Sequence, residues 1–265
     1  DTFFIGQTHD PLQVAAVSLT NAVFVMYMAI AQLLGIGGSA VISILLGKGE
    51  NEKAKSASAF CFYGSLIFGV IVAIVIILFM EPLLMILGSR SDTYQYSKDY
   101  LFYIAVGAPF ILLANTFGHA VRGEGASNAS MIGGMIGTIV NIVLDPIFIF
   151  GFDMGVTGAA IATIIGQVVA GLICVAYIPR FEHITFYKKH LKLSGKTCGS
   201  ILSLGFPSFC MQMATALTQI VMNNLMTDCG AVTKYGSEIA LSCYGIMMKV
   251  YQVAHAMFVG VASGT

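Results

Sequence analysis

The sequence predicts an all-α, polytopic membrane protein, and three observations carry that reading. Of 265 residues, 57% are hydrophobic and only 10% charged, against about 25% charged in a typical soluble domain. The apolar residues form runs long enough to cross a bilayer core, which takes about 20 residues of helix. Charged residues gather in the short connections between those runs. Formal net charge is zero and the charges are scattered, which argues against nucleic acid as a partner. The six cysteines (Cys61, Cys174, Cys198, Cys210, Cys229, Cys243) include no C-x-x-C pair. Free thiols buried as small hydrophobes are therefore expected, rather than a zinc site or a disulfide framework.

Seven apolar segments are predicted, at 12–46, 54–80, 95–121, 126–150, 156–180, 198–226 and 237–265. A short remnant from Asp1 precedes them. The sequence opens on Asp1-Thr-Phe-Phe-Ile-Gly6 and ends inside the apolar run Val259-Gly-Val-Ala-Ser-Gly-Thr265. A fragment is expected that starts late in one spanning helix and stops within another, with no secretory signal peptide at its start. The connections at 7–11, 47–53, 122–125, 151–155 and 227–236 hold most of the Gly, Asp, Glu and Lys, and none is long enough to be a domain. Only 181–197 is a long polar link. A boundary is placed there, giving a first lobe at 1–180, a linker at 181–197 and the start of a second lobe at 198–265.

Basic residues predict the topology. Lys48, Lys53, Lys55, Arg122, Arg180, Lys188, Lys189, Lys192 and Lys196 fall in the connections 47–55, 122–125 and 180–196, whereas the alternate connections contain only Arg90, Lys98 and Lys234. By the positive-inside rule the 181–197 link is cytoplasmic and the 7–11 turn external. Val14 to Ser39 resembles Ile239 to Gly264 at an offset of about 225 residues, the kind of internal repeat from which many secondary transporters are built. Small residues recur four apart at Gly35, Ser39, Ser43 and Gly47, and again at Gly158, Ala162, Gly166 and Ala170. Such ridges let helices approach closely in lipid.

Chemistry is sought where polar groups lie at membrane depth. Among acidic residues only Asp1 and Asp145 fall well inside an apolar run, and among basic residues only Lys249 does. A charge at the centre of a spanning helix costs roughly 2.5–3.5 kcal/mol by insertion scales, so an intramembrane Asp is a functional-site hypothesis by default. Asn141-Ile-Val-Leu-Asp145-Pro146 places a carboxylate and an amide four residues apart on one helix face. Pro146 has no N–H, so it breaks the helix and frees the carbonyl of Ile142. Counting roughly 1.5 Å of rise per residue puts Asp1, Asn141, Asp145 and Thr163 at one level in the outer half of the first lobe. Their oxygens suit a hard cation such as Na⁺. Two neighbouring carboxylates in a low dielectric equally suit a carried proton. The residues alone do not choose between the two.

Each group also has a plainer reading. Asp145 can hydrogen-bond a neighbouring helix, Asp1 can be an end effect, and Thr163 can be a packed helix threonine. Lys249 can snorkel or line a cavity. Gln167, Gln212 and Gln219 are candidate cavity residues or interhelical hydrogen-bond formers, and His119 and His255 read as structural. No nucleophile–base or metal constellation stands at membrane depth, so an enzyme is not expected.

The motifs Ala15-Ala-Val-Ser18, Leu46-Gly-Lys-Gly-Glu50, Arg122-Gly-Glu-Gly125, Asn141-Ile-Val-Leu-Asp-Pro146, Gly155-Val-Thr-Gly-Ala-Ala-Ile-Ala-Thr163 and Leu204-Gly-Phe-Pro207 occur in order along the chain, after Asp1–Gly6. Together they resemble the multidrug and toxic compound extrusion (MATE) family. The resemblance implies twelve helices in two six-helix lobes, of which this chain would hold the end of helix 1 through helix 8, about eight in all. It further implies a monomeric plasma-membrane antiporter that works by alternating access. Such a protein exports cationic or amphiphilic small molecules against Na⁺ or H⁺ and needs no other cofactor. The family's first-lobe cation site carries over to Asp1, Asn141, Asp145 and Thr163, with Pro146 as the helix break. Gln167, Gln212 and Lys249 are the cavity candidates. The segment 198–226 lacks the acidic residue that some members carry in helix 7. Two rival readings are a lipid-linked oligosaccharide flippase of related architecture and a membrane receptor or scaffold.

Overall fold

Helix α2 (Pro11–Gly47) is the axis on which the other helices are assembled. Asp10 caps it: extended backbone lets the Asp10 carboxylate accept from the Leu12 N–H at 3.0 Å, and Pro11 takes the first helical position, where no N–H is needed. The computed structural model describes residues 2–8, 10–176, 195–232 and 236–264. Around α2 stand α1 (Thr2–Gly6), α3 (Asn51–Leu78), α4 (Met80–Ile86), α5 (Ser91–Gly123), α6 (Ser127–Pro146), α7 (Gly155–Ala176), α8 (Gly195–Ala231) and α9 (Gly236–Gly264). A π-helical turn, Ile147–Gly151, extends α6, and there is no strand among the described residues. Among the described residues six helices are long and apolar enough to cross a membrane, the sixth counted as Thr197–Ala231, and α9 is 29 residues long.

The predicted segments coincide with these helices, and two differences have a local cause. The 54–80 run is not one helix: α3 ends at Leu78 and α4 restarts at Met80. Pro82 has no N–H to give the Leu78 carbonyl, so the ladder fails there and Phe79 takes up the bend. The 126–150 run likewise changes at Pro146 from α-helix to the π-helical turn, in which the Phe152 N–H reaches the Ile147 carbonyl at 3.0 Å. The predicted linker 181–197 falls mostly on 177–194, outside the described residues. Its last three positions already belong to α8, which starts at Gly195.

Helices α2, α3, α5 and α7 enclose the main apolar core, with Tyr27, Leu101, Ile104, Ile111 and Leu112 within it. Small residues set the spacing. A Cβ on Gly35 would lie 3.0 Å from His119 of α5, and one on Gly123 2.7 Å from the Ser39 backbone. One face of α3 and one of α6 present Ile67, Ile71, Ile74, Met135, Ile139 and Val143 outward, as a lipid-facing surface does. Cys61 and Cys174 are buried as expected, but Cys210, Cys229 and Cys243 are exposed on α8 and α9.

The α8–α9 pair joins α2 along a seam whose chemistry changes with depth. Towards the end that carries the basic connections, Gly37 faces the Ile201 carbonyl and Gly205 the Leu33 carbonyl, backbone against backbone. Towards the opposite end Ala15 and Leu19 pack on Leu241 and Met226, and polar contacts tie α8 and α9 to α2, α4 and the start of α5. Ser242 Oγ donates to the Pro11 carbonyl at 3.0 Å, Asn224 Nδ2 to the Ile86 carbonyl at 2.8 Å, and Arg90 pairs with Asp228 at 2.9 Å. Between them Lys249 Nζ donates to Asn21 Oδ1 at 3.4 Å, and Asn21 Nδ2 to Gln219 Oε1 at 3.4 Å.

At the basic end Glu124, which closes α5, accepts from Ser58 Oγ at 3.0 Å. Burial pushes its carboxyl up to about 7, against the opposing effect of the Ser58 hydrogen bond.

Three outcomes follow, each read as the melting temperature of detergent-solubilised protein. Gly137→Val drives a side chain into the α7 backbone and should destabilise by about 1–3 kcal/mol or more, whereas Gly134→Ala, with open space around it, should be neutral. Asn21→Leu strips the Lys249 ammonium of an oxygen and should cost about 1–3 kcal/mol, while Lys249→Met, which removes the charge itself, should not lower stability. Glu124 holds its proton in the fold more tightly than in the unfolded chain, so stability should fall as pH rises through about 7. Glu124→Gln should abolish that decline and leave the melting temperature near pH 5 unchanged.

Candidate cation site

Two close approaches hold α6 and its π-helical turn against α7. A Cβ on Gly137 would lie 2.6 Å from the Gly166 carbonyl oxygen, and one on Gly166 2.7 Å from the Gly137 oxygen. Further along, a Cβ on Gly158 would lie 2.9 Å from Phe148 Cβ and 3.0 Å from its carbonyl oxygen. Only glycine permits these spacings, and between the two clamps lie Asn141, Asp145 and Thr163.

Asp145 is fully buried. Asn141, one turn earlier on the same face, donates from Nδ2 to Asp145 Oδ1 at 3.3 Å and lies 3.5 Å from Thr163 Oγ1 on the facing helix. Thr163 spends its own hydroxyl proton on the Ala159 carbonyl at 3.0 Å, which turns its lone pairs towards Asn141. Three of the four residues expected at one level are therefore together. Asp1, the fourth, lies outside the described residues.

This arrangement can act in two ways. With the amide nitrogen turned inward, Asn141 donates to the carboxylate. Rotating the amide by half a turn would direct Oδ1 inward beside Asp145 and Thr163 and offer an oxygen-only shell to a hard cation. Pro146 adds no N–H at the end of α6, and the Ile147 N–H bonds the Leu144 carbonyl instead of continuing the α-helical pattern. No cluster of three or more His, Cys, Asp or Glu side chains forms among the described residues, so any ion here would be held by a mixed oxygen set.

The other candidates separate. Gln167 accepts from Asn115 Nδ2 at 3.2 Å, and Asn115 also donates to the Ile111 carbonyl. Lys249 belongs to the α2–α8–α9 seam rather than to this cluster, and Gln212 is half-buried two turns from Gln219 on α8. Sequence reasoning passed over three residues. Tyr100 of α5 is buried within electrostatic reach of Asp145. Asn115, an amide in the apolar run Ile111-Leu-Leu-Ala-Asn115, bridges to Gln167, and Asn21 bridges to Lys249. The two asparagines carried a usable signal, since each is an amide inside an apolar helix. Tyr100 carried none, because a tyrosine near a helix start is ordinary.

Comparisons with known proteins agree with this architecture. The MatE family model matches residues 1–147. The multidrug export protein MepA of Staphylococcus saprophyticus is 35% identical over 263 residues, covering 99% of this chain, and MepA of Staphylococcus aureus is 33% identical over the same span. The chain spans about 57% of the length of these curated relatives. Among solved structures, an inward-facing MATE multidrug resistance transporter superposes with a TM-score of 0.86 at 28% identity, covering 93% of this chain and 56% of that one. The MATE multidrug transporter DinF-BH, solved in complex with R6G, superposes at 0.82 with 29% identity, covering 95% of this chain and 55% of that one. With more than half of the residues matched by the family model, and the fold shared with its solved members, the chain belongs to the MATE family of multidrug and toxic compound extrusion transporters.

Proposed function

We propose that this chain forms the ion-coupling part of an efflux antiporter that exports cationic or amphiphilic small molecules across the plasma membrane by alternating access. The observation that carries the reading is Asp145, fully buried between α6 and α7 and hydrogen-bonded to Asn141, with Thr163 opposite. A carboxylate at that depth is costly unless it binds something that offsets its charge, and Na⁺ or a proton does so. Asp1 completes the site, and no other cofactor is needed. Residues 1–180 act as the first lobe of a monomeric transporter, and the end bearing Lys48, Lys53, Lys55 and Arg122 faces the cytoplasm. Coupling requires that the ion bind the two access states with different affinity. The π-helical turn after Pro146 is the place where α6 can change shape to supply that difference.

The flippase reading calls for basic side chains lining a cavity to meet a pyrophosphate. Lys249 lines a small cleft with Asn21 and Gln219 as its single basic group, too little positive charge for a pyrophosphate, which favours the antiporter.

The test uses cells of an efflux-deficient bacterium expressing the complete gene. They are de-energised, loaded with ethidium, and given a Na⁺ gradient or, separately, a pH gradient. One gradient should drive extrusion, and Asp145→Asn should reduce that response by about ten-fold or more while the protein still reaches the membrane. Gradient-driven extrusion at the unmutated rate in Asp145→Asn would overturn the assignment.

A further inference from the structure

A cavity of about 330 Å³ opens between α5, α6 and α7 and runs from the Asn141–Thr163 pair to Arg122 at the basic end. Ser130 and Asn141, at its two ends on α6, are eleven residues apart, which is roughly 16 Å of helix. The intervening face of α6 presents Gly134 and Thr138, at helical spacing with both. From the facing helices come Asn115 and Gln167, whose hydrogen bond crosses the cavity's wall one turn from Thr163. A cleft lined by three amides, three hydroxyls and a guanidinium is not a lipid-facing groove, because polar side chains at membrane depth turn to protein or to water. It is also roomy enough for a file of water molecules, each needing about 30 Å³.

We propose that this cleft is a hydrated passage through the first lobe, by which the coupling cation (Na⁺ or a proton) leaves Asp145 for the cytoplasm. It rests on the antiporter reading of the Asp145 cluster and adds a route to it. Asn115 and Gln167 supply the carbonyl oxygens that replace water along the way, as polar linings do in selective pores. At the mouth Arg122 lies 2.8 Å from His119 Nδ1 and marks the cytoplasmic end of the cleft. The geometry also explains a run of small residues with no other task. A Cβ on Gly133 or Gly137 would meet α7 at 3.1 Å or less, so those two glycines serve packing, but a Cβ on Gly134 meets nothing within 4 Å. Gly134 keeps the cleft open rather than keeping the helices together.

The difference between those glycines supplies the test, made on the complete transporter in membrane vesicles. Gly134→Leu places a side chain in the cleft from a position where the Cβ itself meets nothing within 4 Å. It should leave ethidium binding within two-fold of the unmutated protein while slowing gradient-driven extrusion by about ten-fold. Thr138→Cys, in a cysteine-free background, should react with a membrane-impermeant cationic methanethiosulfonate from the cytoplasmic side, and saturating ethidium should not protect it. Extrusion by Gly134→Leu at the unmutated rate would overturn the passage, as would a thiol at position 138 unreactive from the cytoplasm. Protection by ethidium would also overturn it, by making the cleft a drug cavity. Failure of the antiporter reading shows separately, as an unmutated protein that answers neither a Na⁺ nor a pH gradient.

Discussion

The Asn141–Asp145–Thr163 cluster depends on how closely α6 and α7 approach each other. In water a buried apolar face drives helices together, but in a bilayer the surrounding lipid is as apolar as leucine, so close packing must supply the attraction. Gly137 and Gly166 let the two backbones come within touching distance, and Gly158 does the same against Phe148 of the π-helical turn. The same spacing brings Asn141 within 3.5 Å of Thr163. A side chain at either glycine would separate the helices and carry Thr163 out of reach of Asn141.

The cost of buried polarity organises the rest. Several intramembrane polar groups meet a partner on another helix. Asn115 meets Gln167, Thr116 Oγ1 donates to the Ala31 carbonyl at 3.2 Å, and Lys249 meets Asn21. Proline enters the same economy. Pro82 and Pro146 each interrupt the backbone ladder where a bend is made, at the α3–α4 break and at the π-helical turn. A helix that changes hydrogen-bonding pattern next to a buried carboxylate is a natural place for ion binding and backbone shape to influence each other.

The seam between α2 and the α8–α9 pair mixes two kinds of contact. Near the basic end, Gly37 and Gly205 pack backbone on backbone, and further along Gly245 lets α9 come close to Ser18 of α2. Towards the other end Ala15 and Leu19 of α2 pack on Leu241 and Met226, beside the hydrogen bond from Ser242 to Pro11. The ion pair between Arg90, at the start of α5, and Asp228 is exposed, and such pairs contribute little, typically below about 1 kcal/mol.

Hydrophobic patterning and charge placement were enough to determine the class of fold, because the bilayer allows only helices whose backbone groups are satisfied internally. They located every long helix and singled out Asp145, since one acidic residue inside a long apolar run is conspicuous whatever the fold. The spacing of Asn141 and Asp145 is likewise a property of a single helix. Pro82 was legible in principle, but one apolar run hid the break it makes. Which helix faced which was decided only by tertiary structure. Thr163 lies 22 residues from Asn141, and only the Gly137–Gly166 contact shows that the two meet. Lys249 read from sequence as a residue that snorkels or lines a cavity, and only the packing of α9 on α2 places it in a small cleft beside Asn21. Tyr100 entered the neighbourhood of Asp145 because α5 crosses there, which no local pattern encodes. Local chemistry names the groups that must be satisfied, whereas their partners depend on contacts far apart along the chain, made where small residues let backbones meet.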